Sequence, residues 1–277
     1  MEILVYLLQM TADWKWTSQY ELEVLLTITG VVVMESVRNP QIKLEPWVWK
    51  VVEKIEAPDS VRSQKVGCRA ARKDPERFPS LGLRRIIEVV QLVREPSQHC
   101  SNLEYRYQQL LDDREKLKRQ PKALFYSNDP ITQQKPPQVQ LGFQTRRATV
   151  LTLAMLANVV LQELSPSNTS LSTERDILVD ESIAASQIPN HYRPLGACYV
   201  THCLIVAYTV TRDAKQQEII ARLLNELCNL DVTPVTTSRW LEEGVQGWRS
   251  KLESLRQLAP GLVLLSAAIC RQAGRQE

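Results

Sequence analysis

The side chains best suited to metal or nucleophilic chemistry form one cluster, between residues 191 and 203. On a helix, Cys198 and His202 would share a face, and a thiolate with an imidazole can bind zinc. Cys203 would lie on another face, His191 lies nearby, and no second ligand pair follows at a spacing typical of zinc sites. We therefore expect a buried histidine and inert core cysteines here, with an enzyme or a zinc-binding protein as the alternative.

No other motif of the sequence predicts catalysis. There is no H-E-x-x-H, no P-loop and no G-x-G-x-x-G, and the nine glycines disfavour phosphate-binding loops. The six cysteines are scattered without a C-x-x-C pair, which predicts reduced thiols in an intracellular protein. The apolar run Ile3–Leu8 lacks the features of a signal peptide, and we expect no membrane-spanning segment. These patterns predict a cytoplasmic, non-enzymatic protein with no cofactor and no metal.

The strongest charge asymmetry lies between residues 62 and 85, whereas the whole chain carries a net charge of only +3. Several cations in this stretch follow the spacing of three or four residues that places them on one helical face. A stripe of one sign destabilises a helix unless an anion lies beside it, such as a phosphate or an acidic protein surface. A solvated loop is the alternative. The stretch contains two acidic residues, Asp74 and Glu76, and eight basic ones: Arg62, Lys65, Arg69, Arg72, Lys73, Arg77, Arg84 and Arg85.

A helical hairpin is predicted between Arg212 and Gly244. Asp213 is a suitable N-cap, and the apolar residues from Ile219 to Leu227 recur at helical spacing. Pro234 follows a turn and suits the first position of a second helix, because its missing N–H would have no partner there. An apolar stripe that includes Trp240 and Trp248 then continues to Pro260.

Within this hairpin, Ile219–Glu243 resembles the helix-turn-helix of DNA-binding regulators and recombinases. The resemblance is carried by Ile220, Ala221, Leu224 and Leu227 in the first helix and by Thr236, Ser238, Arg239, Trp240 and Leu241 in the second. It implies that the polar side chains of the second helix enter the major groove of DNA. Those side chains are Thr236, Thr237, Ser238 and Arg239. An ordinary hairpin in the protein core is the alternative.

The chain should fold as a mainly α helical bundle. Two helical domains, and a few short strands at the N-terminus, are compatible with the same patterns. The runs Leu22–Met34 and Leu195–Val210 are rich in β-branched residues, but their surroundings and length favour helices. The prolines and glutamines of 121–143 are typical of a linker. We therefore predict an N-terminal domain over 1–120, a linker over 121–143 and a C-terminal domain over 144–277.

These features favour a DNA-associated regulatory protein, in which the basic stretch supplies phosphate affinity and the hairpin supplies base contacts. Glu242 and Glu243 would repel phosphates at the end of the second helix, so the basic stretch has to contribute most of the affinity. The alternative is a non-catalytic scaffold or adaptor whose basic stretch meets an acidic protein partner. Homo- or hetero-oligomers are compatible with either function.

Overall fold

The computed structural model describes residues 2–11, 19–39, 41–44, 46–56, 78–96, 100–125, 137–186 and 197–228, and part of 242–257. The described residues are helical or connect helices and include no strand, which confirms the predicted mainly α fold. Leu22–Met34 and most of Leu195–Val210, for which strands were the alternative, lie in helices. The chain divides into two compact units, Met1–Arg94 and Glu95–Glu277.

The described residues of the first unit form four helices and one 3-10 turn. The helices are α1 (Glu2–Thr11), α2 (Gln19–Arg38), α3 (Trp47–Glu56) and α4 (Leu83–Arg94), and the turn Pro79–Leu81 precedes α4. The core consists largely of valines from the second half of α2 and from α3 and α4, and α2 packs against the other three helices. Arg94 donates a 2.8 Å hydrogen bond to the carbonyl of Ile42, which fixes the end of α4 to the α2–α3 connection.

The second unit is built around one central apolar helix. Its described helices include α5 (Cys100–Phe125), α6 (Pro137–Leu164), α7 (Thr169–Ser186), α8 (Ala197–Val210) and α9 (Ala214–Cys228). All residues from Val150 to Leu161 are buried, because α5, α7 and α8 surround α6. In the described part of the chain, Gly142–Leu164 is the one stretch long and apolar enough to cross a membrane, and most of it is buried among these neighbours.

The predicted domains 1–120 and 144–277 and the predicted linker 121–143 stay a prediction. The two compact units of the structure are divided between Arg94 and Glu95. α5 extends to Phe125, and Pro137 is the first residue of α6, a position where its missing N–H has no intrahelical partner. Since α5 and α6 pack against each other, the connection between them joins two helices of one unit.

Candidate nucleic-acid interface

Arg84 and Arg85, at the start of α4, are the two cations of the basic stretch 62–85 that the structure describes. Arg84 and Arg85 are the second and third residues of α4, whose first turn contains no acidic residue. Leu83, Ile87 and Val90 are buried on the opposite side and fix the rotation of the helix. The amino end of a helix carries a partial positive charge from its N–H groups. The two guanidinium groups therefore add charge where the helix is already positive.

Both guanidinium groups are held at the surface of the first unit by neighbouring side chains. The guanidinium carbon of Arg84 lies 5.6 Å from the centroid of the Trp49 ring, in a cation–π contact with α3. The Nη1 group of Arg85 donates a 2.7 Å hydrogen bond to Glu88, one turn along α4. The Arg85 side chain remains 41% exposed. An anion approaching the start of α4 would meet both cations in these positions.

The other six cations of the stretch lie outside the described residues. The structure thus brings together two of the eight predicted members of this surface, Arg84 and Arg85. The remaining six are Arg62, Lys65, Arg69, Arg72, Lys73 and Arg77.

The first helix of the predicted hairpin forms as expected. Asp213 Oδ1 accepts a 2.8 Å hydrogen bond from the backbone N–H of Lys215, so Asp213 caps α9. Ile220 and Leu224 are buried where α9 packs against α8 and α7. The apolar face of α9 therefore belongs to the core of the second unit and leaves its charged face exposed.

The second helix of the hairpin is described from Glu242 onward. Glu242 and Glu243 are helical and exposed, so two carboxylates mark the end of the predicted recognition helix. Trp248 is only 4% exposed, and the Arg249 guanidinium lies 5.9 Å from the ring centroid of Tyr208 on α8. These contacts anchor the helix to the bundle. The predicted base-contacting residues, Thr236, Thr237, Ser238 and Arg239, lie outside the described residues.

The cysteine and histidine cluster is buried or half-buried where it is described. Cys203 is buried, and its thiol donates a 3.4 Å hydrogen bond to Ser182 Oγ. Burial raises the pKa of the Cys203 thiol, which favours the neutral form and opposes nucleophilic reactivity. His202 is half-buried, whereas His191 and the side chain of Cys198 lie outside the described residues. Within that part of the chain, no three His, Cys, Asp or Glu residues are placed to hold a metal ion.

A polar network that has no signature in the sequence crosses the second unit. Asn158, fully buried on α6, donates 2.8 and 3.0 Å hydrogen bonds to the Tyr107 hydroxyl on α5 and the Leu171 carbonyl on α7. Tyr107 in turn donates to Glu174 at 2.8 Å. Gln162 donates to Asn158 Oδ1 at 2.8 Å and accepts a 3.0 Å hydrogen bond from Arg175.

Charged pairs continue this network along α5 and α7. Arg114 donates two hydrogen bonds of 2.9 and 2.7 Å to the carboxylate of Glu181, and Lys118 donates a third of 2.9 Å. Such a two-point contact between a guanidinium and a carboxylate fixes the orientation of both groups. The network therefore sets the registry of α5, α6 and α7.

Comparison of the chain with family models, curated proteins and solved structures finds no match in any of the three.

Proposed function

We propose that this chain is a non-enzymatic helical protein that binds duplex DNA through the basic stretch 62–85. The observation that supports this function best is the placement of Arg84 and Arg85 in the first turn of α4. Cations at the amino end of a helix are unfavourable by about 0.3–1 kcal/mol each, because they face the positive end of the helix dipole. A bound phosphate would relieve this repulsion and could also accept hydrogen bonds from the helix N–H groups.

The net charge of the stretch fits a polyanion better than a single small anion. Eight basic and two acidic side chains leave a net charge of 8 − 2 = +6 between residues 62 and 85. Duplex DNA carries about one negative charge per 1.7 Å of its axis, so several of these cations could reach phosphates at once. Release of the counterions from those phosphates would drive binding without regard to sequence.

We assign the discrimination between DNA sequences to the hairpin. Arg239 has the side chain that can contact a guanine edge through two hydrogen bonds, and Thr236–Ser238 would flank it. Glu242 and Glu243, three and four residues after Arg239 in the sequence, are exposed and would oppose phosphate contacts by the predicted helix. Affinity and discrimination should therefore reside in different parts of the chain.

A second candidate is a non-catalytic adaptor whose basic stretch binds an acidic protein. The contact between Arg85 and Glu88 favours it, since a glutamate already satisfies one of the guanidinium groups at this surface. The exposed pair Glu242 and Glu243 also favours it, because these carboxylates would disturb a nearby DNA backbone but not a protein partner elsewhere.

The two candidates can be separated by fluorescence anisotropy with the full chain and a labelled duplex at low salt. Arg84→Ala with Arg85→Ala should weaken duplex binding by roughly tenfold, at about 1 kcal/mol or less per phosphate contact. Lys43→Ala with Arg119→Ala removes two exposed charges outside the stretch and should change binding less than about twofold. Binding to a poly-glutamate peptide but not to the duplex would support the adaptor instead.

A further inference from the structure

Trp49 lies at the edge of the core of the first unit, beside the candidate interface. Trp47 and three valines of α3 are buried and fix the rotation of this helix: Val48, Val51 and Val52. Trp49 is consequently only half-buried, and its ring centroid lies 5.6 Å from the guanidinium carbon of Arg84 on α4. The ring of α3 thus holds a cation of α4 at the surface where the proposed function requires phosphates to bind.

Trp49 and Glu88 hold the two arginines of α4 in different ways. Glu88 accepts a 2.7 Å hydrogen bond from Arg85 and adds a negative charge beside it. An indole ring attracts a guanidinium through the negative face of its π-system and adds no net charge. The contact with Trp49 therefore restricts where the Arg84 guanidinium lies without offsetting its charge.

The face of α3 that carries Trp49 offers Arg84 a ring rather than a second cation. Glu53 follows Trp49 by four residues, so the two side chains share a face of α3, and Glu53 is exposed. The cations of α3 are Lys50 and Lys54, which follow Trp49 by one and five residues and lie toward another side of the helix. On this face, the contribution of α3 to anion binding is the placement of Arg84.

We propose, on the basis of the proposed DNA binding by the basic stretch 62–85, that Trp49 is a positioning residue for this function. It holds the Arg84 guanidinium at the amino end of α4, where that group meets a phosphate. Immobilising a long side chain on binding lowers the affinity, and a side chain that is already held in the free protein avoids part of this loss. Because the guanidinium is planar and stacks on a ring, Trp49 and Arg84 should act as one unit.

A double-mutant cycle on the full chain tests this coupling, with duplex binding measured by fluorescence anisotropy at low salt. Trp49→Leu should weaken binding about two- to fivefold, because the DNA then has to order the Arg84 side chain. Trp49→Phe retains a ring and should restore most of that affinity. In the Arg84→Ala background, Trp49→Leu should change binding less than about twofold, since the group that Trp49 positions is gone.

A contact of the same kind in the second unit provides the control. The Arg106 guanidinium carbon lies 5.4 Å from the ring centroid of the exposed Tyr105 on α5, outside the basic stretch. Tyr105→Leu should leave duplex binding within about twofold, because this contact holds no cation of the stretch. Circular dichroism and thermal unfolding verify that every variant is folded.

The outcomes separate the positioning by Trp49 from DNA binding itself. Equal losses from Trp49→Leu in the wild-type and Arg84→Ala backgrounds would overturn the positioning and leave DNA binding intact. A Trp49→Phe variant that binds no better than Trp49→Leu would do the same. In the absence of DNA, the side-chain N–H resonance of Arg84 should shift when Trp49→Leu removes the ring, and an unshifted resonance would also overturn the positioning. Absence of duplex binding by the folded wild type would overturn both the positioning and the proposed function.

Discussion

The Tyr107 hydroxyl on α5 donates a hydrogen bond to Glu174 on α7, and seven residues further along each helix Arg114 binds Glu181. The two pairs show that α5 and α7 run in the same direction with matched registry. Because seven residues make about two turns, both contacts lie on the same side of each helix. α6 runs antiparallel to α7, since Met155 lies near Ser182 while Gln162 meets Arg175. The polar network therefore holds three helices in one arrangement.

Asn158→Leu should destabilise the protein by about 1–3 kcal/mol. The substitution removes three hydrogen bonds of Asn158, to the Tyr107 hydroxyl, the Leu171 carbonyl and Gln162. Gln162 still donates to the Leu171 carbonyl and Tyr107 to Glu174, so the cost is that of the lost bonds, at about 0.5–1.5 kcal/mol each. Urea unfolding followed by circular dichroism measures the change. Asn225→Leu on the exposed face of α9 is the control and should change stability by no more than about 0.5 kcal/mol. Equal effects would show that the network does not stabilise the fold.

Glu181→Gln should destabilise the protein by about 1–3 kcal/mol near neutral pH, because Arg114 and Lys118 lose a charged acceptor. The side chain of Glu181 is 12% exposed, so solvent screens these bonds only weakly. Glu104→Gln on the exposed face of α5 is the control and should be nearly neutral.

The effect of Glu181→Gln should also depend on pH. Burial alone raises the pKa of Glu181, but the hydrogen bonds and charges of Arg114 and Lys118 bring that pKa below its ordinary value of 4.5. A lowered pKa stabilises the folded state fully above the unfolded pKa, and this contribution disappears as the pH falls through the folded pKa. The difference between the wild type and the variant should therefore shrink as the pH falls below the ordinary pKa of 4.5. A difference that stays constant over this range would contradict the ion-pair assignment.

Cys203 should resist alkylation in the folded protein. Its thiol is buried, donates to Ser182 and is held neutral by burial, which raises its pKa. Iodoacetamide treatment at mildly alkaline pH, followed by peptide mass spectrometry, should find Cys203 unmodified until urea is added. Rapid labelling in the native state would favour the alternative of an enzyme with a reactive cysteine.

Asp213→Ala should cost about 1 kcal/mol through loss of the N-cap of α9. Glu218→Ala lies further along the exposed face of α9 and provides the control. Thermal unfolding of the two variants compares the cap with an ordinary surface position, and equal midpoints would argue against the cap.

The sequence predicts local features of this fold better than contacts between distant residues. Asp213 is predictable as a cap because its partner lies two residues away, and the apolar run that includes Val150–Leu161 indicates the central helix. By contrast, Tyr107 and Glu174 are 67 residues apart, and no periodicity within α5 or α7 indicates their contact. The prolines of 121–143 predict an interruption of helix, but they do not reveal that the helices on either side pack together.

The candidate site likewise combines features that are local in the sequence with contacts between distant residues. The excess of cations between 62 and 85 is visible in the sequence, and the contact of Arg85 with Glu88 follows from their spacing of three residues on one helix. The contact of Arg84 with Trp49 depends on where α3 and α4 lie.

Arg239→Ala should reduce discrimination between duplex sequences more than total affinity. A guanidinium that contacts a base edge contributes about 1–3 kcal/mol to the choice of base, whereas phosphate contacts weaken uniformly across sequences. A preferred duplex is first selected from a random pool with the wild-type chain. The affinities of the wild type and of the variant are then measured for this duplex and for a scrambled one. An equal loss on both duplexes would remove the predicted recognition function of the second helix.

The most direct measurement is the salt dependence of duplex binding by the full chain and by Arg62→Ala with Lys65→Ala and Arg69→Ala. Each phosphate contact contributes about 0.9 to the slope of log affinity against log salt concentration. If the basic stretch binds DNA, the wild type should bind with a steep negative slope, and the triple variant should bind more weakly with a slope shallower by up to about 2.7. Absence of duplex binding at low salt, or an unchanged slope in the variant, would contradict DNA binding by this stretch.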